Sequence, residues 1–501
     1  MVTRLTPATL ASPFRPYVLL LPFCAGVFIA ANDQTVVVTV LPEVMRDLRV
    51  GAGELDRAAW AVTGYLIGFT AAMPLMGRVA DRVGHRTAFL AALFVFMIGS
   101  AAVALSPDLP QWLLGRGPEF SWLVGARVFQ AVGGGAIIPI ALVAAGELVP
   151  EGKRPVAYGL VGASAEAGGI AGPLLGGAIT GWLSWEWAFW LNIPVALVVG
   201  MLALRTPPGS RNKVKVDFAG GALFAAALAL LTLTLSRAGR ADAMFGWALG
   251  ATGVAVAGLV WRQTRQGDPL VPRAVLASAR FVSASGAHIL VGAALIIAMV
   301  SVPLMANTLL DDSPLEGGLR LLRMTVALAV GALAGGLLTQ RYGPRLPALA
   351  GLAACCAGFT AMSRWTLEVH DPWMTAHLVV TGLGFGLLVA PIAQSALRGI
   401  SPGQHGAASA LITVARMAGM TAGLAALTAW GTVRFEGLVA GAPAFSADPQ
   451  IQEQVRQTAS LAGITVFRGF FAAAAAMCAL AAAPALLMSR GRRIDSEARQ
   501  A

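Results

Sequence analysis

Ala31-Asn32-Asp33-Gln34-Thr35 is a polar patch inside an otherwise apolar run from Tyr17 to Pro42. A run of that length spans a bilayer, because about 20 apolar residues in a helix cross about 30 Å of hydrocarbon. Asp33 therefore lies within the membrane. An ionised carboxylate there costs on the order of 2.5–3.5 kcal/mol on insertion scales, so Asp33 must face a partner or a cavity, or take up a proton. Two readings follow: a structural pair that pins one helix to another, or a site that couples to protons or cations. Asn32 and Gln34 beside it are candidates to line a substrate cavity.

Working outward, the whole chain has a membrane protein's composition. Of its 501 residues 57% are hydrophobic and only 12% charged, against about 25% charged in a soluble domain. The net charge of +11 is scattered in short clusters between apolar runs, so it serves topology and not a nucleic-acid partner. Arg4 and Arg15 precede a first run too long for a signal peptide's apolar core, and that run is expected to remain as an uncleaved span. Cys24, Cys355, Cys356 and Cys478 all fall in apolar runs, which implies neither a disulfide framework nor a metal site.

Fourteen runs satisfy the length criterion: 17–42, 57–76, 87–105, 122–145, 156–181, 187–204, 217–236, 245–261, 283–306, 321–338, 347–364, 374–397, 408–432 and 466–488. With a cytoplasmic N-terminus, the inside segments collect Arg78, Arg82, Arg86, Lys153, Arg154, Lys213, Lys215, Arg341, Arg345, Arg398 and Arg490. The outside segments hold acids such as Glu43, Asp47, Asp108, Asp311, Glu368 and Asp371. The positive-inside rule then places both termini in the cytoplasm. An internal repeat supports two homologous halves: Gly77-x4-Arg82-x-Gly84-x-Arg86 recurs as Gly336-x4-Arg341-x-Gly343-x-Arg345, 259 residues later. The expected fold is all-α: six-helix bundles at 1–204 and 283–501, with two inserted helices in a linker, 205–282. Residues 432–463 read as one long outside loop, with a surface helix near Asp448.

Several groups could carry function. In the loop Gly77-Arg78-Val-Ala-Asp81-Arg82-Val-Gly84-His-Arg86, glycines permit a tight turn, Asp81 can cap a helix N-terminus and the arginines can cap carbonyls. Such a network could lock the cytoplasmic side, or be only a charged turn. In the fourth run Arg127 cannot lose its proton and needs a carboxylate or water, with Gln130 one turn further on as a second cavity candidate. Helix counting puts Arg127 and Asp33 both toward the outer side, so Arg127 is expected to hold Asp33 ionised until the bundle rearranges. Small residues at 168, 172 and 176, and again at 169 and 177, allow close packing of the fifth run, and Pro173 invites a bend. Glu166 in that run is expected to pair with Arg416 in the thirteenth, as a gate or a structural pair. His288 is a cavity candidate or a hydrogen-bonded interior residue. Trp182, Trp185, Trp187 and Trp190 read as an interfacial belt. No G-x4-G-K-[ST], H-E-x-x-H or G-x-S-x-G pattern occurs, so neither ATP hydrolysis nor hydrolase chemistry is expected.

At these residues the chain resembles the major facilitator superfamily, in its fourteen-helix drug:proton antiporter branch. The loop at 77–86 is similar to the superfamily's signature loop, and Asp33 to Pro42 to the branch's first-helix motif. Arg127 and Gln130 resemble the fourth-helix motif, and Gly172-Pro173-x-x-Gly176-Gly177 the fifth-helix antiporter motif. The resemblance implies a proton-coupled exporter of hydrophobic or amphipathic small molecules, of the multidrug-efflux type, working by alternating access without a cofactor. Asp33 would then accept the proton and Arg127 tune it. Glu166 and the stretch around Arg416 look like mycobacterial exporters of triacylglycerol-type lipids that work with a periplasmic lipoprotein. The alternative is therefore lipid export to the cell envelope. Two departures stand out: Gln340 occupies the place of Asp81 in the second loop, and the link from Arg364 to Trp373 is short where those exporters have an extension. A symporter or a non-transporting membrane enzyme fits less well. A monomer in a bacterial inner membrane is implied.

Overall fold

The structure, a computed structural model, describes residues 15–50, 60–108, 120–237, 243–267, 269–310, 314–440 and 449–488. Apolar runs become helices because inside hydrocarbon a backbone must satisfy its own hydrogen bonds. Among the described residues these are α1 (Arg15–Asp47), α2 (Trp60–Val83), α3 (His85–Ala104), α4 (Phe120–Leu148), α5 (Arg154–Trp182), α6 (Asn192–Ala203), α7 (Phe218–Arg237), α8 (Ala243–Arg265), α9 (Ala279–Leu309), α10 (Pro314–Tyr342), α11 (Arg345–Met362), α12 (Asp371–Leu397), α13 (His405–Val439) and α14 (Pro449–Leu486). One turn, Trp187–Trp190, leads into α6. Eleven of the helices are long and apolar enough to cross a membrane. The others are α5, whose glycines lower its hydropathy, and the shorter apolar helices α6 and α7.

Local chemistry fixes the ends. Asp217 accepts from Gly220 N–H at 2.9 Å, capping the start of α7. Gly84 (φ +87°) turns the chain between α2 and α3, and Gly343 (φ +77°) does the same between α10 and α11. That left-handed conformation is costly for other residues. The repeat seen in sequence is thus two copies of one turn at equivalent places.

The chain divides into two compact units. The first holds α1 to α6 and the start of α7, together with Gln266–Pro272 and Gly399–Ala410. The second holds Ala226–Arg265, Arg273–Arg398 and the chain from Leu411 onward. In the first, α1 packs along α5, while α2 and α3 flank α4; in the second, α10 and α11 flank α12 in the same way. The α1–α5 contact uses one small-residue stripe: a Cβ at Gly168 would lie 2.2 Å from the Phe28 carbonyl, and one at Gly172 2.6 Å from the Asn32 carbonyl. At the other stripe a Cβ on Gly169 or Gly177 would meet no atom within 4 Å, although the Gly169 carbonyl accepts from the Thr35 hydroxyl at 3.0 Å. In the second unit Thr234 and Thr252 hydrogen-bond at 3.0 Å between α7 and α8, and α8 turns Trp247, Val254 and Trp261 outward.

Two expectations are corrected. The outside loop expected at 432–463 is largely helix: α13 continues to Val439 and α14 starts at Pro449, leaving 441–448 outside the described residues. Hydropathy marks only the lipid-facing part of a helix, whereas Gln, Glu, Arg and Ala carry it on into water at little propensity cost. The four-tryptophan belt is also incomplete. Trp182 is 90% exposed, but Trp185 is buried in an apolar cluster and donates to Asp47 Oδ2 at 2.8 Å.

Candidate functional site

Four helices of the first unit bring five polar side chains to one buried point. Asp33 of α1, Arg127 and Gln130 of α4, and Ser100 of α3 have no exposed surface, and Asn192 of α6 is 4% exposed. Arg127 Nη1 donates to Asp33 Oδ2 at 2.7 Å and to Gln130 Oε1 at 2.8 Å. Asp33 Oδ1 accepts from Gln130 Nε2 at 2.9 Å and from Asn192 Nδ2 at 2.8 Å. Ser100 Oγ accepts from the same two amides at 2.8 and 3.4 Å. The guanidinium also lies over aromatic faces, 4.0 Å from the Tyr65 ring centroid and 5.4 Å from that of Phe189. Such placement attracts a cation and excludes water from it.

The expected Asp33–Arg127 pair is therefore formed. Gln130, expected to line a cavity, is instead inside this network. Asn32 and Gln34 are half-buried on either side of Asp33. Sequence reasoning missed Asn192, Ser100 and Tyr65. Asn192 had a signal, since it is the one polar side chain in Trp187–Ala203. Ser and Tyr cost so little in an apolar run that nothing marks them out. Chemically, both oxygens of Asp33 accept from N–H donors, and a proton arriving there weakens those bonds.

The signature loop is organised around Asp81, which is 2% exposed. Its Oδ1 accepts from Gly406 N–H at 2.7 Å and its Oδ2 from Ala407 N–H at 3.2 Å. Asp81 thus caps a helix N-terminus, and the helix is α13. A carboxylate there meets both orphan donors and the positive end of the helix dipole. Gly77 makes the approach possible, because a Cβ on it would lie 2.2 Å from the Gly406 carbonyl. Arg86 donates to the Thr206 carbonyl at 2.9 Å, as a carbonyl cap. Arg78 is buried and Arg82 exposed. Beneath the loop His85 Nδ1 and Glu147 Oε2 lie 2.7 Å apart, and the Ser210 hydroxyl donates to Glu147 Oε1.

In the second loop Gly336 is buried, Arg341 is exposed beside Tyr342, and Arg345 is half-buried at the start of α11. Pro173 is exposed on α5, where Gly172 and Gly176 face α1. Glu166 and Arg416, both half-buried, belong to the first and second units respectively. His288 Nδ1 lies 2.9 Å from the Ile412 carbonyl, so it is a hydrogen-bonded residue within the second unit. Among the described residues no three His, Cys, Asp or Glu side chains gather as metal ligands.

A buried ion pair among helices of which eleven are long and apolar enough to cross a membrane marks a multi-pass membrane protein. The Major Facilitator Superfamily profile matches residues 23–424, and the chain belongs to that family. It is a transporter and not an enzyme. It is 35% identical over 455 residues to a triacylglyceride transporter of Mycobacteroides abscessus, covering 86% of each chain. It is 36% identical over 441 residues to one from Mycobacterium tuberculosis, covering 83% of each. A probable triacylglyceride transporter of Mycobacterium leprae is 33% identical, with 94% of this chain and 96% of that one covered. Among solved structures, the proton:xylose symporter XylE matches with TM-score 0.64 at 14% identity over 93% of this chain and 94% of that one. The human organic anion transporter MFSD10 matches with TM-score 0.61 at 15% identity over 95% and 100%. These last two share the fold.

Proposed function

We propose that this transporter exports triacylglyceride-like lipids from a bacterial inner membrane, driven by protons that bind and leave Asp33. The lipid half of the proposal rests on the relatives, three of them named for triacylglyceride transport. The proton half rests on one observation: a carboxylate with no exposed surface, 2.7 Å from a guanidinium that is also fully buried. Groups this costly to bury within a membrane belong to ion pathways more often than to scaffolding. A proton taken up from outside neutralises Asp33 and loosens Arg127; its release inward restores the pair. No cofactor takes part, and the proton gradient supplies the energy. Glu166 and Arg416 act as the gate, the loop from Gly77 to Arg86 as the cytoplasmic lock, and a periplasmic lipoprotein receives the lipid.

Two experiments test this. In vesicles with an imposed pH gradient, a fluorescent triacylglycerol is expected to move with the gradient and stop when an uncoupler removes it. Movement of a hydrophobic cation such as ethidium, with the lipid left in place, would return the assignment to multidrug efflux. For the gate, Glu166→Arg and Arg416→Glu are each expected to stop lipid transport, and the double exchange to recover part of it. Harmless single variants would remove the gate.

A further inference from the structure

Asn192 is held differently from the other amide that meets Asp33. Gln130 is fixed in one orientation: its Oε1 accepts from Arg127 Nη1 at 2.8 Å, and a guanidinium can only donate, so turning the amide over would set donor against donor. The hydrogen bonds of Asn192 all run through Nδ2, to Asp33 Oδ1 at 2.8 Å and Ser100 Oγ at 3.4 Å. A serine hydroxyl accepts or donates equally well, so it imposes no orientation. What sets the Asn192 amide is therefore the charge state of Asp33 alone.

A proton arriving at Asp33 has two oxygens to choose from. Oδ2 accepts the short charge-assisted bond from Arg127 Nη1 at 2.7 Å, which protonation there would weaken. On Oδ1 the proton needs an acceptor, and the groups hydrogen-bonded to it are the amide nitrogens of Gln130 and Asn192; the Tyr65 hydroxyl approaches the same carboxyl but makes no hydrogen bond. Gln130 cannot turn without losing Arg127. We infer that Asn192 is the hydrogen-bond switch of the proton site, donating through Nδ2 to ionised Asp33 and turning over to accept through its own Oδ1 when Asp33 is protonated. The step moves one proton onto Asp33 and breaks no covalent bond. The other groups around Asp33 fit this role. The charged or titratable ones are Arg127 of α4 and Tyr65 of α2, with Tyr65 set against the guanidinium. α3 contributes Ser100, and α5 meets α1 through glycines.

Asn192 is thus a positioning residue for Asp33, and this assignment rests on the proton half of the proposed function. Infrared titration of the full chain in phosphatidylethanolamine–phosphatidylglycerol vesicles tests both separately, with no substrate required. The protonated-carboxyl band of Asp33 is identified by its loss in Asp33→Asn. In Asn192→Leu the midpoint of that band is expected to rise by about one pH unit, the effect of one charge-assisted hydrogen bond. The band itself is expected to move to higher frequency, because the carboxyl O–H has lost its acceptor. Asn192→Ser, which can donate and accept, is expected to restore both, and it carries the test if the leucine variant does not fold. A midpoint that rises while the frequency stays put would leave Asn192 as a fixed donor and overturn the switch, as would no change in either. Absence of any Asp33 band in the unmodified chain would instead overturn the proton site, and the switch with it.

Discussion

Asp33 and Arg127 are each tolerable only because of the other. Removing one partner of a buried pair strands the second charge, which costs about 3–5 kcal/mol, whereas replacing both by neutral groups of similar shape is often nearly neutral. Arg127→Gln is accordingly expected to lower the thermal stability of the purified protein sharply, and Asp33→Asn with Arg127→Gln to recover most of it without recovering transport. Thermal melts in detergent check the first half, and vesicle assays the second. A double variant as unstable as the single one would mean that the pair does not bear the local energetics. Asp33, Arg127 and Gln130 were legible in sequence because charge inside an apolar run has few innocent explanations. The side chains completing the shell were not. Asn192 and Ser100 lie 159 and 67 residues from Asp33, and only the helix packing shows that Asp33 and Ser100 accept from the same two amides, those of Gln130 and Asn192.

At the scale of elements, two helix contacts position the site. Along α1 and α5, backbones approach closely enough that van der Waals packing holds them, which is the force available between helices in lipid. A Cβ at Gly172 would lie 2.0 Å from Thr35 Oγ1, while one at Gly177 meets nothing within 4 Å. Gly172→Val is therefore expected to cost about 1–3 kcal/mol through overpacking, and Gly177→Val little, both read from melting temperatures. Equal effects would show that the stripe at 168, 172 and 176 is not the contact. The sequence offered both stripes, and composition alone could not say which one α1 would take. The second contact, Asp81 on the start of α13, was half legible. An acid after a turn glycine pattern announces a cap, but the natural guess is the next helix in the chain, and the capped N–H groups lie 325 and 326 residues away.

For the whole molecule, apolar runs of fixed length decided the fold, and each of the fourteen has its helix. The ends of α13 and α14 were invisible to the same reasoning, because a helix that leaves the membrane keeps its hydrogen-bonding pattern and loses only its hydropathy. The repeat at 259 residues surfaced as matching positive-φ glycines, Gly84 and Gly343, and as two bundles in which a central helix is flanked by two others. Neither bundle announces a substrate, which is why the lipid assignment comes from relatives and the energy source from one carboxyl group. That carboxyl group is the centre of the account, and proton flux measures it most directly. With triacylglycerol supplied to vesicles of the purified chain and lumenal pH recorded by an entrapped dye, the unmodified protein is expected to move protons against lipid. Asp33→Asn, kept below the lowered melting temperature that a stranded Arg127 imposes and confirmed folded there, is expected to move none. Undiminished proton flux in that variant would contradict the account at its core.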